Sequence, residues 1–61
     1  MSAIKKIRIQ KGITQAEIAD AMQVTVATVS RWETGEFFPR SAKLYQLAAF
    51  LGCSVDELLK N

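Results

Sequence analysis

The stretch that decides the fold runs from Gln15 to Thr34 and reads QAEIADAMQVTVATVSRWET. Its apolar residues recur at helical rather than alternating spacing, and two capping residues divide it. Thr14, just upstream, precedes Glu17 in a Thr-Gln-Ala-Glu capping box, which opens a helix to about Met22. Ile18, Ala19 and Met22 share the inner face of that helix. After Gln23 and Val24, Thr25 caps a second helix from Val26 to about Thr34, with Val29 and Trp32 inward and Gly35 closing it. Two helices joined by so short a turn must cross steeply and still pack. That demands a small residue where the backbones approach, here Ala19. It also demands apolar residues at linked positions, here Ile18, Met22, Val24, Val29 and Trp32.

The same logic extends outward in both directions. Gly12, Gly35, Pro39 and Gly52 divide the chain into short helical pieces, leaving no linker, repeat or low-complexity tract. Ser2 is a good N-cap for a helix from Ala3 to Lys11 with Ile4 and Ile7 on one face; Gly12 ends it and Ile13 folds back on it. Glu36 to Pro39 is a loop, because Pro39 disfavours helix at Phe38. A further helix begins near Arg40 or Ser41, ends before Gly52, and buries Leu44, Leu47, Ala48 and Leu51. Ser54 caps a last piece with Val55, Leu58 and Leu59 inward and Asp56 and Glu57 aligned with the helix dipole. The expectation is all-α: a compact five-helix bundle forming one domain over residues 1–61.

Composition narrows the chemistry. A chain of 61 residues, 49% of them apolar, buries only about 60% of its unfolded surface, so the core is modest. One cysteine and no histidine exclude an internal disulfide framework and a structural zinc site, and neither a metal nor a cofactor is expected. Cys53 fits a reducing, cytoplasmic setting as a packed thiol. No apolar run approaches the roughly 18 residues that span a bilayer, and no signal peptide opens the chain. Enzyme chemistry lacks its parts: no histidine, no nucleophile beside a base, no phosphate-binding glycine loop. The net charge of +2 is too small to imply a partner, but its distribution is uneven. Lys5, Lys6, Arg8 and Lys11 cluster with no acid among them, and Arg31, Arg40 and Lys43 form a second basic group.

The run Lys11-Gly12-Ile13-Thr14-Gln15-Ala16-Glu17-Ile18-Ala19, then Val24-Thr25 and Val29-Ser30-Arg31-Trp32-Glu33-Thr34-Gly35, resembles the phage repressor and Cro-like helix-turn-helix proteins, the xenobiotic-response-element type. The resemblance continues through Pro39, Leu47-Ala48, Leu51-Gly52 and Ser54-Val55-Asp56-Glu57-Leu58-Leu59, nearly the whole chain. It implies a lambda-repressor-like DNA-binding fold with the helix-turn-helix at about residues 15–34. It also implies a sequence-specific, double-stranded-DNA-binding transcriptional regulator, expected to be a repressor, with the third helix in the major groove and its N-terminal half toward the bases. One departure stands at Gln23, where the family usually has glycine in a left-handed turn. A non-glycine residue there costs on the order of 1 kcal/mol.

Under that resemblance the third helix sorts its residues by face. Val29, Trp32 and Glu33 share one side, so Ala27, Ser30, Arg31 and Thr34 fall outward, flanked by Val26 and Thr28. Arg31 is the strongest base-reading candidate, since its fork matches guanine O6 and N7. Val26, Ala27 and the Thr28 methyl suit thymine methyls, and Ser30 completes the base-facing set. The resemblance gives Gln15, at a helix N-terminus, both phosphate and base contacts. Thr14, Thr25, Thr34, Arg40, Ser41 and Lys43 are the backbone candidates, contacts that set position without reading sequence. Arg8 and Glu33 match a structural ion pair of the family, which makes Arg8 an orienting residue first. The bland alternatives are a solvated charge for Arg31, a first-turn residue for Gln15 and helix filler for Val26 and Ala27.

Regulators of this kind bind two-fold symmetric sites with half-sites about one helical turn apart. One module buries roughly 600–1,000 Å² of protein surface. A homodimer on a palindromic operator, and a monomer or weak dimer free, is therefore expected. Two other readings compete. The antitoxin partner of a toxin would need a toxin-binding segment, and only Lys60 and Asn61 follow Leu59. A protein-interaction module that kept the fold but lost DNA binding is opposed by Arg31, Gln15 and Arg40 in matching positions. Phe37, Phe38, Tyr45 and Phe50 exceed what so small a core can hide, and Ile9 lies off the Ile4–Ile7 face. With Arg8 on Glu33 and with Glu17, Asp20, Asp56 and Glu57 facing away, the DNA side is expected to be more basic than the total charge.

Overall fold

The computed structural model describes residues 2–60. Among them five helices follow one another and no strand occurs: α1 (Ala3–Gln10), α2 (Gln15–Met22), α3 (Val26–Thr34), α4 (Ser41–Leu51) and α5 (Val55–Leu59). The starts are made by short hydroxyl side chains. Ser2 Oγ accepts the Lys5 N–H at 3.2 Å and Thr25 Oγ1 accepts that of Thr28 at 3.1 Å. Thr14 and Glu17 form the expected reciprocal box, at 3.0 and 2.9 Å, and Ser54 and Glu57 form a second, each bond 3.1 Å. Such caps are worth about 1 kcal/mol each. Only α4 starts without one, its first turn preceded by Arg40.

Three helices end in the same way. After α1, α2 and α4 a left-handed residue follows, Gly12 (φ +70°), Gln23 (φ +59°) and Gly52 (φ +70°). The next residue's N–H reaches back across the last turn: Ile13 to the Arg8 carbonyl at 3.1 Å, Val24 to Ala19 at 2.9 Å, Cys53 to Ala48 at 3.0 Å. These are Schellman motifs, and each places an apolar residue where it can fold onto its own helix. Ile13, Val24 and Cys53 are half-buried and packed against the core. Burial, with Glu57 nearby, pushes the Cys53 thiol above its usual value while Lys11 opposes the shift, so it remains a neutral packed group.

The core they seal is a single cluster. Ile4, Ile18, Val29, Leu47 and Leu51 are the largest fully buried side chains, with Ile7, Met22, Trp32, Leu44 and Leu58 around them. α2 packs on α3 and α4, α1 on α3 and α5, and α4 on α5. Trp32 is a core residue, and Pro39 is buried in the loop before α4. One expectation is corrected: Leu59 is 54% exposed rather than inward. Adjacent helical positions lie about 100° apart, and α5 meets α1 and α4 along one edge that takes Leu58 and part of Val55. Ile9, Phe37, Phe38, Tyr45 and Phe50 are exposed, as the size of the core requires.

Candidate nucleic-acid interface

The inner side of α3 is held by charge as well as by packing. Glu33, only 7% exposed, receives Arg8 Nε at 2.5 Å and Arg8 Nη2 at 3.2 Å. Arg8 Nη1 donates to the Ile13 carbonyl at 3.0 Å, so the guanidinium also stitches the α1–α2 turn. The expected Arg8–Glu33 pair is therefore present, and it ties α1 to the last turn of α3. A partner that the sequence does not announce completes it. Gln15 Nε2 donates to Glu33 Oε1 at 2.9 Å, bringing the start of α2 into the same network. Since a carboxylate only accepts, the Gln15 amide nitrogen must face it, which leaves the Gln15 carbonyl for an outside donor.

The outer side of α3 is open. Val26, Ala27, Arg31 and Thr34 are exposed, whereas Thr28 and Ser30 are half-buried. The Thr28 hydroxyl lies 3.0 Å from that of Thr25, so both hydroxyls engage each other at the helix start. Thr34 Oγ1 donates to the Arg31 carbonyl at 3.1 Å and accepts the Glu36 N–H at 3.4 Å. Arg31 is half-exposed, its Nε 3.6 Å from Glu36 Oε2. The Phe37 ring centre lies 5.7 Å from its guanidinium carbon. Glu36 therefore places an acid beside Arg31 on the face expected to be basic.

The backbone candidates divide as well. Thr14, Thr25, Arg40 and Ser41 are exposed at the starts of α2, α3 and α4. Lys43 is half-buried, and its ammonium donates to the Met22 carbonyl at 2.5 Å. In the free protein it thus caps the C-terminus of α2, where the helix dipole favours a cation. The sequence signal for this role is weak, since a lysine at the start of α4 does not reveal which carbonyl lies opposite. Gln23 also closes that end, its side-chain amide donating to the Asp20 carbonyl at 2.8 Å. The junction between α2 and α3 is thereby fixed from three sides: the Schellman turn, the Gln23 amide and Lys43.

Comparison with known proteins places the chain among helix-turn-helix proteins. A family model described as helix-turn-helix matches residues 4–58. An HTH-type transcriptional activator of Enterococcus faecalis, BcrR, is 30% identical over 58 residues, covering 95% of this chain and 28% of that protein. A SPbeta prophage-derived uncharacterized HTH-type transcriptional regulator of Bacillus subtilis (strain 168), YonR, is 37% identical over 58 residues, 95% of this chain and 54% of that protein. The chain spans little more than half the length of one relative and less than a third of the other.

Proposed function

Because the chain belongs to the Cro/C1-type helix-turn-helix family, we propose that it is a sequence-specific DNA-binding transcriptional regulator that lays α3 in the major groove. The observation that carries this reading is the two-sidedness of α3. One side is locked by the Arg8–Glu33–Gln15 network, and the other presents Val26, Ala27 and Arg31 to solvent. A helix anchored at its back and open at its front is what rigid insertion into a groove requires.

In this reading Arg31 reads a guanine, and Val26, Ala27 and the Thr28 methyl meet thymine methyls, with Ser30 beside them. Thr14, Thr25, Thr34, Arg40 and Ser41 contact phosphates. Gln15 serves the interface through its remaining carbonyl and through the α2 N-terminus, whose capping box satisfies only part of its free N–H groups. Lys43 contributes by holding the α2–α3 junction, and its charge adds to the phosphate-facing field. Two copies bind a palindromic operator, since one module offers too little surface for the specificity of a genomic site. Repression follows from occupancy alone when the operator overlaps a promoter. A reporter carrying the selected site reads the sign of regulation.

The decisive experiment is selection of binding sites from random duplexes, followed by salt titration on the winner. A two-fold symmetric consensus with a steep salt slope is the expected result. No enrichment over random DNA would sink the reading in favour of a protein-interaction module. A strictly 1:1 complex in sedimentation on the selected site would remove the dimer.

A further inference from the structure

The end of α3 departs from the pattern that the ends of α1, α2 and α4 share. The residue after the left-handed position is Ile13, Val24 or Cys53 in α1, α2 and α4, and each packs on the core. After Gly35 (φ +85°) the corresponding residue is Glu36, charged and exposed. Its N–H goes to Thr34 Oγ1 at 3.4 Å, and it is the Phe37 N–H that reaches the Arg31 carbonyl, at 3.3 Å. The loop therefore folds back on the last turns of α3 without sealing the core. What it delivers is two groups beside one side chain. The Glu36 carboxylate lies 3.6 Å from Arg31 Nε, and the Phe37 ring lies within cation–π range of the guanidinium at 5.7 Å.

We infer that Glu36 and Phe37 are positioning residues for Arg31, and that Glu36 in particular raises its selectivity for a base over a phosphate. This rests on the DNA-binding reading above. The closest approach of Glu36 is to Nε, the inner nitrogen of the guanidinium. The two terminal nitrogens form the fork that matches guanine O6 and N7, so a carboxylate at Nε steadies the side chain without occupying the fork. The aromatic face restricts its swing from a second direction. A pre-oriented arginine loses less conformational freedom on reaching its base. The same carboxylate repels phosphates, so an arginine held beside it gains less from sequence-independent contact. Both effects widen the gap between the right site and random DNA.

The test is a mutant cycle on the selected duplex and on a random duplex of equal length. Glu36 is 61% exposed in its side chain, so Glu36→Gln folds normally, and thermal melting verifies this. Affinity for random DNA is expected to rise while affinity for the selected site stays level or falls. The ratio of the two then drops about two- to fivefold, the range of an exposed ion pair. In an Arg31→Ala background Glu36→Gln leaves that ratio unchanged, and Phe37→Ala lowers the ratio only when Arg31 is present. An unchanged ratio on Glu36→Gln, or an equal drop with and without Arg31, overturns the inference while the DNA-binding reading stands. If the wild-type protein itself does not distinguish the selected duplex from random DNA, the reading and the inference fall together.

Discussion

Gln15 and Glu33, eighteen positions apart, are joined by one hydrogen bond of 2.9 Å that links the first turn of α2 to the last turn of α3. The bond gives Gln15 a folding role in addition to any role at DNA. A hydrogen bond to a charged group contributes about 1.5–3 kcal/mol when buried, and Gln15 is half-buried. Gln15→Met, which keeps length but loses the donor, is expected to cost about 1–2 kcal/mol in urea unfolding. A variant as stable as the wild type would make Gln15 a surface group.

Arg8 is held more firmly. Its three hydrogen bonds all go to groups inside the protein, two to Glu33 and one to Ile13. Removing it leaves the Glu33 carboxylate buried with only Gln15, which costs about 3–5 kcal/mol. A domain of this size holds about 3–9 kcal/mol in total. Arg8→Ala is therefore expected to be largely unfolded at room temperature, and the paired change Arg8→Met with Glu33→Leu to refold. Circular dichroism on the three proteins decides it, and equal helicity in the single variant would contradict the burial argument.

Gln23 presents two opposing terms. Its left-handed backbone (φ +59°) carries a Cβ penalty of about 1–2 kcal/mol, whereas its side chain closes the Asp20 carbonyl at 2.8 Å. That bond is exposed and worth about 0.5–1 kcal/mol. Gln23→Gly removes both, so a small net gain of under about 1 kcal/mol is expected. Gln23→Ala keeps the strain and loses the bond, and its melting temperature should fall. The order Gly above Gln above Ala is the outcome to check; Ala above Gln would mean that the side-chain bond contributes nothing.

These pairs show which parts of the molecule are legible in the sequence. Caps and helix ends are local events, so Ser2, Thr14, Thr25 and Ser54 mark the starts, and Gly12, Gly35 and Gly52 mark the ends, without tertiary information; the left-handed turn at Gln23 came through family resemblance. The inner faces of α2, α3 and α4 follow from spacing. The Arg8–Glu33 pair came through family resemblance, since no local rule joins positions that far apart. Gln15, Lys43 and Glu36 have long side chains whose partners are set by how helices cross and by a loop that doubles back. Spacing assigns such residues to a face, but the partner on that face lies on another element or around a glycine turn. Leu59 failed for a related reason: a five-residue helix has room inward for one leucine.

Lys43 supplies a test of that distinction. Its ammonium donates to the Met22 carbonyl at 2.5 Å, so it braces α4 against the end of α2. Lys43→Met retains the aliphatic stem and loses the bond, with an expected cost of about 1–2 kcal/mol. If Lys43 were chiefly a phosphate contact, the substitution would reduce the salt slope of DNA binding by about one unit and leave stability intact. Unfolding and salt titration of the same variant separate the two roles.

The last turn of the chain responds to acid. Glu57 is held below the ordinary glutamate value, first by the Ser54 backbone N–H and then by the Ser54 hydroxyl, both bonded to its carboxylate at 3.1 Å. A depressed carboxylate contributes stability that is fully present above the unfolded-state value and is lost as pH falls through the folded one. The loss concerns the cap of α5, and through Leu58 the edge of the core against α1 and α4. Carbon-detected NMR titration of Glu57 should give a midpoint below the free-peptide value. Ser54→Ala should raise that midpoint, because the hydroxyl is lost while the backbone N–H remains. Protection factors of the α5 amides, which remove the intrinsic slowing of exchange in acid, should fall at acid pH in the wild type, and should be low with a weaker pH dependence in Ser54→Ala. A wild-type midpoint at the free-peptide value would mean that the reciprocal cap does not persist in solution, and α5 would then rest on the packing of Leu58 and Val55.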